Sequence, residues 1–462
     1  MKWLTKSDYL KFLVSPAYLW LAKHAKDKLP PFDEAGEMLV AQGNQVEQYA
    51  RRLYPGGVLV KSLFTEAVRE TEELVEAGTQ TIFQATALTG RRLYCRADVL
   101  ERSGAGWSLT EVKSGTKVKD EHIHDLAFQK IALEEAGYQI NQLSVVHVNT
   151  KYRRQGEVDP AQLLVRRDVT KKVAGLVEPT RQRIKQALAV VAAPSCPDDD
   201  PAACSNLYIW LKTYRHLNPD LTPDSIYGLC RLTLDQLKRL QAAGITKIAD
   251  IPVSFKLTPP QRAQLELTLL GRPAVHSSAI ARQLEGLRYP LYFLDYETIG
   301  PAVPLYDGTQ PFRALPFQYS LHILPAPGGQ LVHKEYLARG RDYPALGLLQ
   351  RLAQDLGPEG SVVVWYKPFE MGANDYLASL HPEYAGFLEG VNQRVFDLME
   401  IFSNHLYGHP GFGGSASIKK VLPVLIPDMT YQQLGISEGM AASNGWLRAA
   451  RGELAPEVRA KL

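Results

Sequence analysis

Between residues 81 and 149 the chain alternates apolar and polar positions in a way that predicts its elements directly. "TIFQATAL", "RLYCRADVLE", "WSLTEVKS" and "QLSVVHVN" run at the two-residue period of strands. Between the last two lies "DEHIHDLAFQKIALEEAG", with apolar residues three and four apart, Asp120 as cap and Gly137 as stop, which predicts a helix. Upstream, Ser7 predicts the N-cap of a helix through "DYLKFL", and Pro16 opens a second through "AYLWLAKH". "AGEMLVAQGNQVEQYARRLY" is amphipathic at helical spacing, and "GVLVKSLF" predicts a further strand. Strands, helix, strand make a mixed α/β core.

The pattern changes twice more. From about 176 to 285 it is mostly helical, through "RQRIKQALAVVAA", a Pro/Asp-rich break, "LDQLKRLQAAGITKIADIP" and "LTPPQRAQLELTLLG". The turn at Gly244 predicts a helix-hairpin-helix element, which either presents backbone N–H groups to a DNA phosphate or simply packs. From about 287 strands return: "RYPLYFLDYETIG", then "ALPFQYSLHIL" with Phe317, Tyr319 and Leu321 on one face, then the continuous apolar run "SVVVWY". Helices are expected near "FEMGANDYLASL" and "VFDLMEIFSNHLY". Three regions result: an α/β domain over 1–175, a helical linker region over 176–285, and a second α/β domain over 286–462.

Composition narrows this little. The chain has 462 residues, of which 45% are apolar, enough for about three cores. A net charge of +3 does not announce a nucleic-acid binder. A basic stretch from Val165 to Val190, with Arg166, Arg167, Lys171, Lys172, Arg181, Arg183 and Lys185, reads equally as a solvated face. The first twenty residues are broken by Asp8 and Lys11 and lack a signal-peptide pattern. No apolar run reaches the ~18 residues of a membrane span, and four cysteines are too few for a disulfide scaffold. A cytoplasmic protein is expected, with no membrane partner.

The chemistry begins at Glu111 and Lys113, which share one face of a strand. A buried carboxylate and ammonium cost several kcal/mol unless paired or holding an ion. They form either a structural ion pair or a site. Asp98 lies thirteen residues earlier across the loop "RSGAG", so a hairpin brings Asp98 and Glu111 together. Two carboxylates suit Mg²⁺, and a lysine beside them can orient water or stabilise charge on a phosphate.

This arrangement resembles the PD-(D/E)XK nuclease superfamily, in particular its RecB-like branch with a restriction-endonuclease-like core. The resemblance implies a helical Gln after the Glu-x-Lys strand, matched by Gln129, and an upstream helical metal ligand, matched in "GNQVEQYA" by Glu47 in place of the usual His. Many such nucleases carry an iron–sulfur cluster on one N-terminal and three later cysteines. Here Ser15 stands at the first position, Cys196 and Cys204 fit two others, and Cys230 and Cys95 lie elsewhere. Two thiolates are too few, so no cluster is expected.

In the last region, "FLDYETIG" puts Asp295 and Glu297 on one strand face. This resembles the first motif of the DEDD exonucleases, whose RNase H-like fold holds two metals on four carboxylates. "SVVVWYKPFE" resembles the second motif, with Glu370 as its acid. Asp397 in "RVFDLMEIF" takes a supporting place, and Lys419 in "GSASIKKVLP" either meets a phosphate or lies on the surface. The fourth acid is expected on a further helix, yet no Asp follows Asp428, so the last motif is read as missing and this domain as truncated or inactive.

The order of these parts, with "EVKSGTKVKDEHIHDLAFQ", "YPLYFLDYET", "PFQYSLH" and "GGSASIKKVLP", resembles an uncharacterised bacterial family that joins a domain of unknown function to a RecB-like nuclease. The resemblance implies a metal-dependent nuclease acting on DNA, at ends or on single strands, with RNA left open. Glu47, Asp98 and Glu111 would hold Mg²⁺ or Mn²⁺, as would Asp295, Glu297 and Glu370 in the second site. Lys113 would position the water and Gln129 would orient Lys113 or the phosphate. The alternative is a nucleic-acid-binding adaptor whose two sites have decayed. Nothing in the sequence marks a protein partner.

Overall fold

The computed structural model describes residues 2–32, 34–339, 342–429 and 439–452. They form a mixed α/β protein with mixed sheets, divided into two compact units. Residues 1–221 with 302–311 make the first unit, and residues 222–301 with 312–462 the second. The helices from 177 to 217 thus fold with the first α/β region, and those from 234 to 284 with the second.

The first unit runs β1 (Leu4–Thr5), α1 (Lys6–Val14), α2 (Pro16–His24), α3 (Glu34–Arg51), β2 (Val58–Leu59) and α4 (Phe64–Glu76). Then come β3 (Thr81–Leu88), β4 (Leu93–Ser103), β5 (Gly106–Lys113), α5 (Asp120–Glu135) and β6 (Ile140–Val148). It closes with α6 (Pro160–Leu163), β7 (Leu164–Asp168), α7 (Thr170–Ala174), α8 (Val177–Ala192) and α9 (Leu207–Leu217). The sheet order is β2-β3-β4-β5-β6-β7, with β1 beside β4. The hairpins β3–β4 and β4–β5 are antiparallel, and β5 and β6 are parallel across the α5 crossover.

Helix α5 is buried over most of its length by the sheet and by α1, α7 and α8, its polar His122, Asp125 and Gln129 included. Leu126, Phe128, Ile131 and Leu133 join Leu109, Val145 and Ile184 in one core. Each such side chain contributes about 1.5–3 kcal/mol on burial. A second core gathers Val46 and Ala50 of α3 with Val146, Val148 and Leu164. The sheet therefore carries α5 and α3 on separate cores.

Three elements depart from the expected pattern. The first helix begins at Lys6, with Thr5 rather than Ser7 as N-cap. Thr5 Oγ1 accepts from the Asp8 N–H at 3.2 Å and the Asp8 carboxylate accepts from the Thr5 N–H at 3.0 Å, a reciprocal box that outcompetes a single serine cap. "GVLVKSLF" yields only two strand residues before α4 starts at Phe64, because Ala67 and Thr71 repeat at helical spacing and bury. At α5, Asp120 is the first helical residue and Lys119 occupies the cap.

The second unit opens with α10 (Leu234–Ala242), α11 (Pro259–Leu270), β8 (Ala274–Val275) and α12 (Ser277–Leu284). The turn after α10 does pass through Gly244 at φ 70°, but the expected second helix is a single 3-10 turn, Ile248–Asp250, stopped by Pro252. Next are β9 (Leu291–Ile299), β10 (Leu315–Leu324), β11 (Val332–Leu337), α13 (Pro344–Asp355), β12 (Ser361–Val364) and α14 (Lys367–Leu380). Then follow α15 (Ala385–Asn392), β13 (Val395–Asp397), α16 (Met399–Ser403), β14 (Tyr407–Gly408), α17 (Ile418–Leu425) and α18 (Gly439–Arg451). "VFDLMEIF" is thus strand first and helix second, because Val395–Asp397 pairs with β12.

Its main sheet has the order β11-β10-β9-β12-β13, with β10 antiparallel to both β9 and β11 and β12 parallel to both β9 and β13. Phe317, Tyr319 and Leu321 share a buried face, as their spacing predicts. Among the described residues, no helix is long and apolar enough to cross a membrane.

Candidate functional site

In the first unit, strands β4 and β5 part company at the expected site. β5 pairs with β4 only from Gly106 to Thr110. β3 holds one edge of β4, so β1, paired at Leu93 and Tyr94, takes the edge that β5 has left. The Asp98 carboxylate fills the opening: its Oδ2 accepts the Val112 N–H at 2.8 Å, replacing a lost ladder bond.

The strands also slip phase here. Ile82, Ala85 and Ala87 all enter one core, as do Leu100, Ala97 and Cys95, although strict alternation would split each set between two faces. The slip centres on Gln84, at φ 57°, opposite Asp98. This kink turns the Gln84 amide toward two acids: it donates to Glu47 Oε1 and to Asp98 Oδ1, the latter at 3.3 Å. Glu47, on α3, also pairs with Arg51 one turn on.

Glu111 and Lys113 share a face, and that face meets α5. Lys113 Nζ lies 2.7 Å from Glu111 Oε1 and 2.9 Å from Asp125 Oδ2. The Gln129 amide donates to Glu111 Oε2 at 2.6 Å and to Asp125 Oδ1 at 2.8 Å. Gln129 therefore acts on Lys113 through the two carboxylates rather than by touching it. A second ammonium enters from the start of α1: Lys6 Nζ lies 2.8 and 3.0 Å from the two Glu111 oxygens and 3.8 Å from Asp98 Oδ1.

The electrostatics follow from three buried acids sharing two ammoniums. Burial and the neighbouring Glu111 push the Asp98 carboxyl up to about 7, against the pull of Lys6. Burial would raise Glu111 too, but Lys6 and Lys113 hold it well below the carboxylate range. Burial and Glu111 raise Asp125. Lys113 stays raised despite burial because Glu111 and Asp125 face it. It is thus a fixed cation at neutral pH and a donor of hydrogen bonds, not a proton acceptor. Burial and Lys113 together lower His122 to about 4, so it is neutral.

The structure brings Asp98, Glu111, Lys113 and Gln129 together and ties Glu47 to Asp98 through Gln84. Carboxylate oxygens of this kind fit a hard divalent cation. As the side chains stand, the cations facing Asp98 and Glu111 are ammoniums, and among the described residues no three His, Cys, Asp or Glu side chains converge to hold a metal. Sequence reasoning missed Lys6, Gln84 and Asp125. Only Asp125 carried a signal, four residues before Gln129 on one helix face.

In the second unit, Asp295 and Glu297 project from β9, opposite Ser320 and Gln318 of β10. Glu370, in the first turn of α14, is 2% exposed. It accepts from the Tyr296 backbone N–H, yet its Oε2 has no partner. Burial first, then Asp295 and Glu297, push Glu370 up to about 9. Desolvation raises the Asp295 carboxyl, although the residue as a whole is exposed. Burial and Asp295 raise Glu297, with Lys419 opposing. Asp295 thus acts on both glutamates, and Glu297 on Glu370.

Asp397 stands apart from these three. It accepts from the backbone N–H groups of Tyr366, Lys367 and Met399 at 3.0, 2.9 and 3.0 Å. It thereby holds Tyr366, at φ 87°, in the turn that starts α14. The place expected for the last carboxylate motif lies outside the described residues. Of the cysteines, Cys95 is buried, its Sγ 3.8 Å from the Gln129 amide oxygen, Cys204 is buried, Cys230 half-buried and Cys196 exposed. In the basic stretch, Arg166 pairs with Glu101, and Arg181 with Glu134 and Glu135, as on a solvated face.

A comparison with curated proteins found no match. Residues 292–417, from β9 to the start of α17 and including Asp295, Glu297, Glu370 and Asp397, match the family model described as "Domain of unknown function (DUF2779)".

Proposed function

We propose that the chain is a metal-dependent nuclease that hydrolyses DNA phosphodiester bonds, at ends or on single strands. The observation that carries this reading is the meeting of Asp98, Glu111, Lys113 and Gln129 where β4 and β5 separate. Strand order and the kink at Gln84 bring these four side chains into one hydrogen-bonded cluster.

Asp98 and Glu111, with Glu47 behind them, would hold Mg²⁺ or Mn²⁺, which when bound supplies Lewis-acid polarisation of a phosphate and a more acidic water. The chain's own contribution is electrostatic. Lys113, kept charged by Glu111 and Asp125, offers hydrogen bonds to an attacking water or a phosphate oxygen as negative charge builds. Gln129 fixes Glu111 and Asp125, so it sets where Lys113 points. Burial and Glu111 push the Asp98 carboxyl up to about 7, so holding such an ion would require it to give up its proton.

In the second unit, the strand order β11-β10-β9-β12-β13 supports an RNase H-like reading. Asp295, Glu297 and Glu370 would form the metal-binding acids of a DEDD-type exonuclease site. The unpartnered Glu370 Oε2 supports this, because an orphaned buried acceptor costs stability unless a cation or donor satisfies it.

Calorimetric titration of the full chain with Mn²⁺ separates this reading from a decayed adaptor. The nuclease reading predicts Mn²⁺ binding at a site that Glu111→Ala removes. Salt-sensitive DNA binding that is indifferent to metal, with no Glu111-dependent Mn²⁺ site, contradicts it.

A further inference from the structure

Lys6 is the one member of the acid cluster that comes from the chain's first turn. Three features aim it. The Thr5–Asp8 capping box fixes the start of α1. Pairing of Leu4 and Thr5 with Leu93 and Tyr94 anchors that turn on β4. Leu4 and Tyr9, fully buried on either side, keep the segment in the core. Lys6 therefore reaches both Glu111 oxygens and approaches Asp98 from a fixed base, while its own stem is flexible.

Its partners are the two carboxylates best placed to hold a divalent ion. We infer that Lys6 is a resident counter-ion that competes with a divalent metal for the Asp98–Glu111 pair and so sets the metal affinity of this site. The inference rests on the nuclease reading above. Charge decides the direction. Asp98, Glu111 and Asp125 oppose Lys6 and Lys113, leaving one negative charge when all are ionised. Lys113 also contacts Asp125 directly, at 2.9 Å, whereas Lys6 hydrogen-bonds Glu111, stands 3.8 Å from Asp98 and is reached by Asp125 through its field. A dication entering between Asp98 and Glu111 therefore displaces Lys6 and leaves Lys113 in place.

Two measurements on the full chain test this. In Mn²⁺ titrations, Lys6→Met binds about tenfold or more tightly than wild type at the site that Glu111→Ala deletes, as neighbours of metal ligands change affinity by such factors. Lys6→Arg, which keeps the charge, shows no such gain. A folded Lys6→Met with equal or weaker affinity overturns the inference and leaves the nuclease reading standing. Absence of any Glu111-dependent Mn²⁺ binding, in wild type and variant alike, overturns both. The second measurement needs no variant. Amine labelling of wild type, read by mass spectrometry, rises at Lys6 under saturating Mn²⁺ and stays low at Lys113. Unchanged labelling of Lys6 under saturating Mn²⁺ overturns the inference.

Discussion

Lys113 of β5 lies 2.9 Å from Asp125 of α5, an ion pair that joins the strand to the crossover helix across the parted end of β4 and β5. Asp125 is 1% exposed and also receives the Gln129 amide. Removing it leaves an ammonium and an amide short of partners in a largely buried place. Asp125→Ala should therefore destabilise the first unit by about 3–5 kcal/mol, and Asp125→Asn by less. Urea unfolding followed by circular dichroism measures the difference.

Glu370 predicts a pH effect of definite sign. Its carboxyl stays protonated in the folded chain up to about 9, whereas an unfolded glutamate ionises near ~4.3. Between these values the folded state binds the extra proton, so its stability falls as pH rises. Glu370→Gln mimics the protonated acid and escapes this loss. In EDTA it should raise the melting temperature relative to wild type, more at pH 8 than at pH 5. The gain should approach about 1.4 kcal/mol per pH unit as an upper bound. A pH-independent difference between the two proteins contradicts this account of Glu370.

Asp397 predicts a purely structural effect. Its three backbone hydrogen bonds start α14 and hold Tyr366 in a left-handed conformation. Asp397→Ala should cost about 1–2 kcal/mol through the lost cap. Because Asp397 is not among the acids that raise Glu370, its loss should leave Mn²⁺ binding at the Asp295 site within a few-fold once the protein is folded. Thermal melts and metal titration of the same variant check both halves.

Gln84 predicts a contrast between two substitutions. Its φ of 57° suits glycine and penalises β-branched residues. Gln84→Gly should keep the strand kink and lose only the link between Glu47 and Asp98. Gln84→Val should cost more, by about 1–2 kcal/mol, since it adds backbone strain. Denaturation midpoints of the two variants, compared with wild type, decide it.

The sequence shows some of these features and hides others for physical reasons. Strands β3 to β6 and helix α5 announce themselves, because each is rich in apolar residues between turn and cap signals. Glu111 and Lys113 are legible as polar residues on a strand that should be apolar, Asp98 by its spacing across a hairpin, and Gln129 through the resemblance to RecB-like nucleases. Lys6 is hidden: its ion pair spans 105 residues, and a lysine near a helix start looks like any surface lysine. Gln84 is hidden because a glutamine in a strand gives no sign of a left-handed backbone. "GVLVKSLF" misleads because its apolar run is short enough to end a loop and begin α4, an ambiguity that periodicity alone does not resolve.

Cleavage itself tests the central claim most directly. End-labelled single-stranded DNA is incubated with the full chain and Mn²⁺, comparing wild type, Lys113→Ala, Asp295→Asn and the double variant. The account predicts cleavage by Asp295→Asn that falls by about a hundredfold or more when Lys113→Ala is added. Equal cleavage by Asp295→Asn with and without Lys113, or no Mn²⁺-dependent cleavage by the wild-type chain, contradicts it.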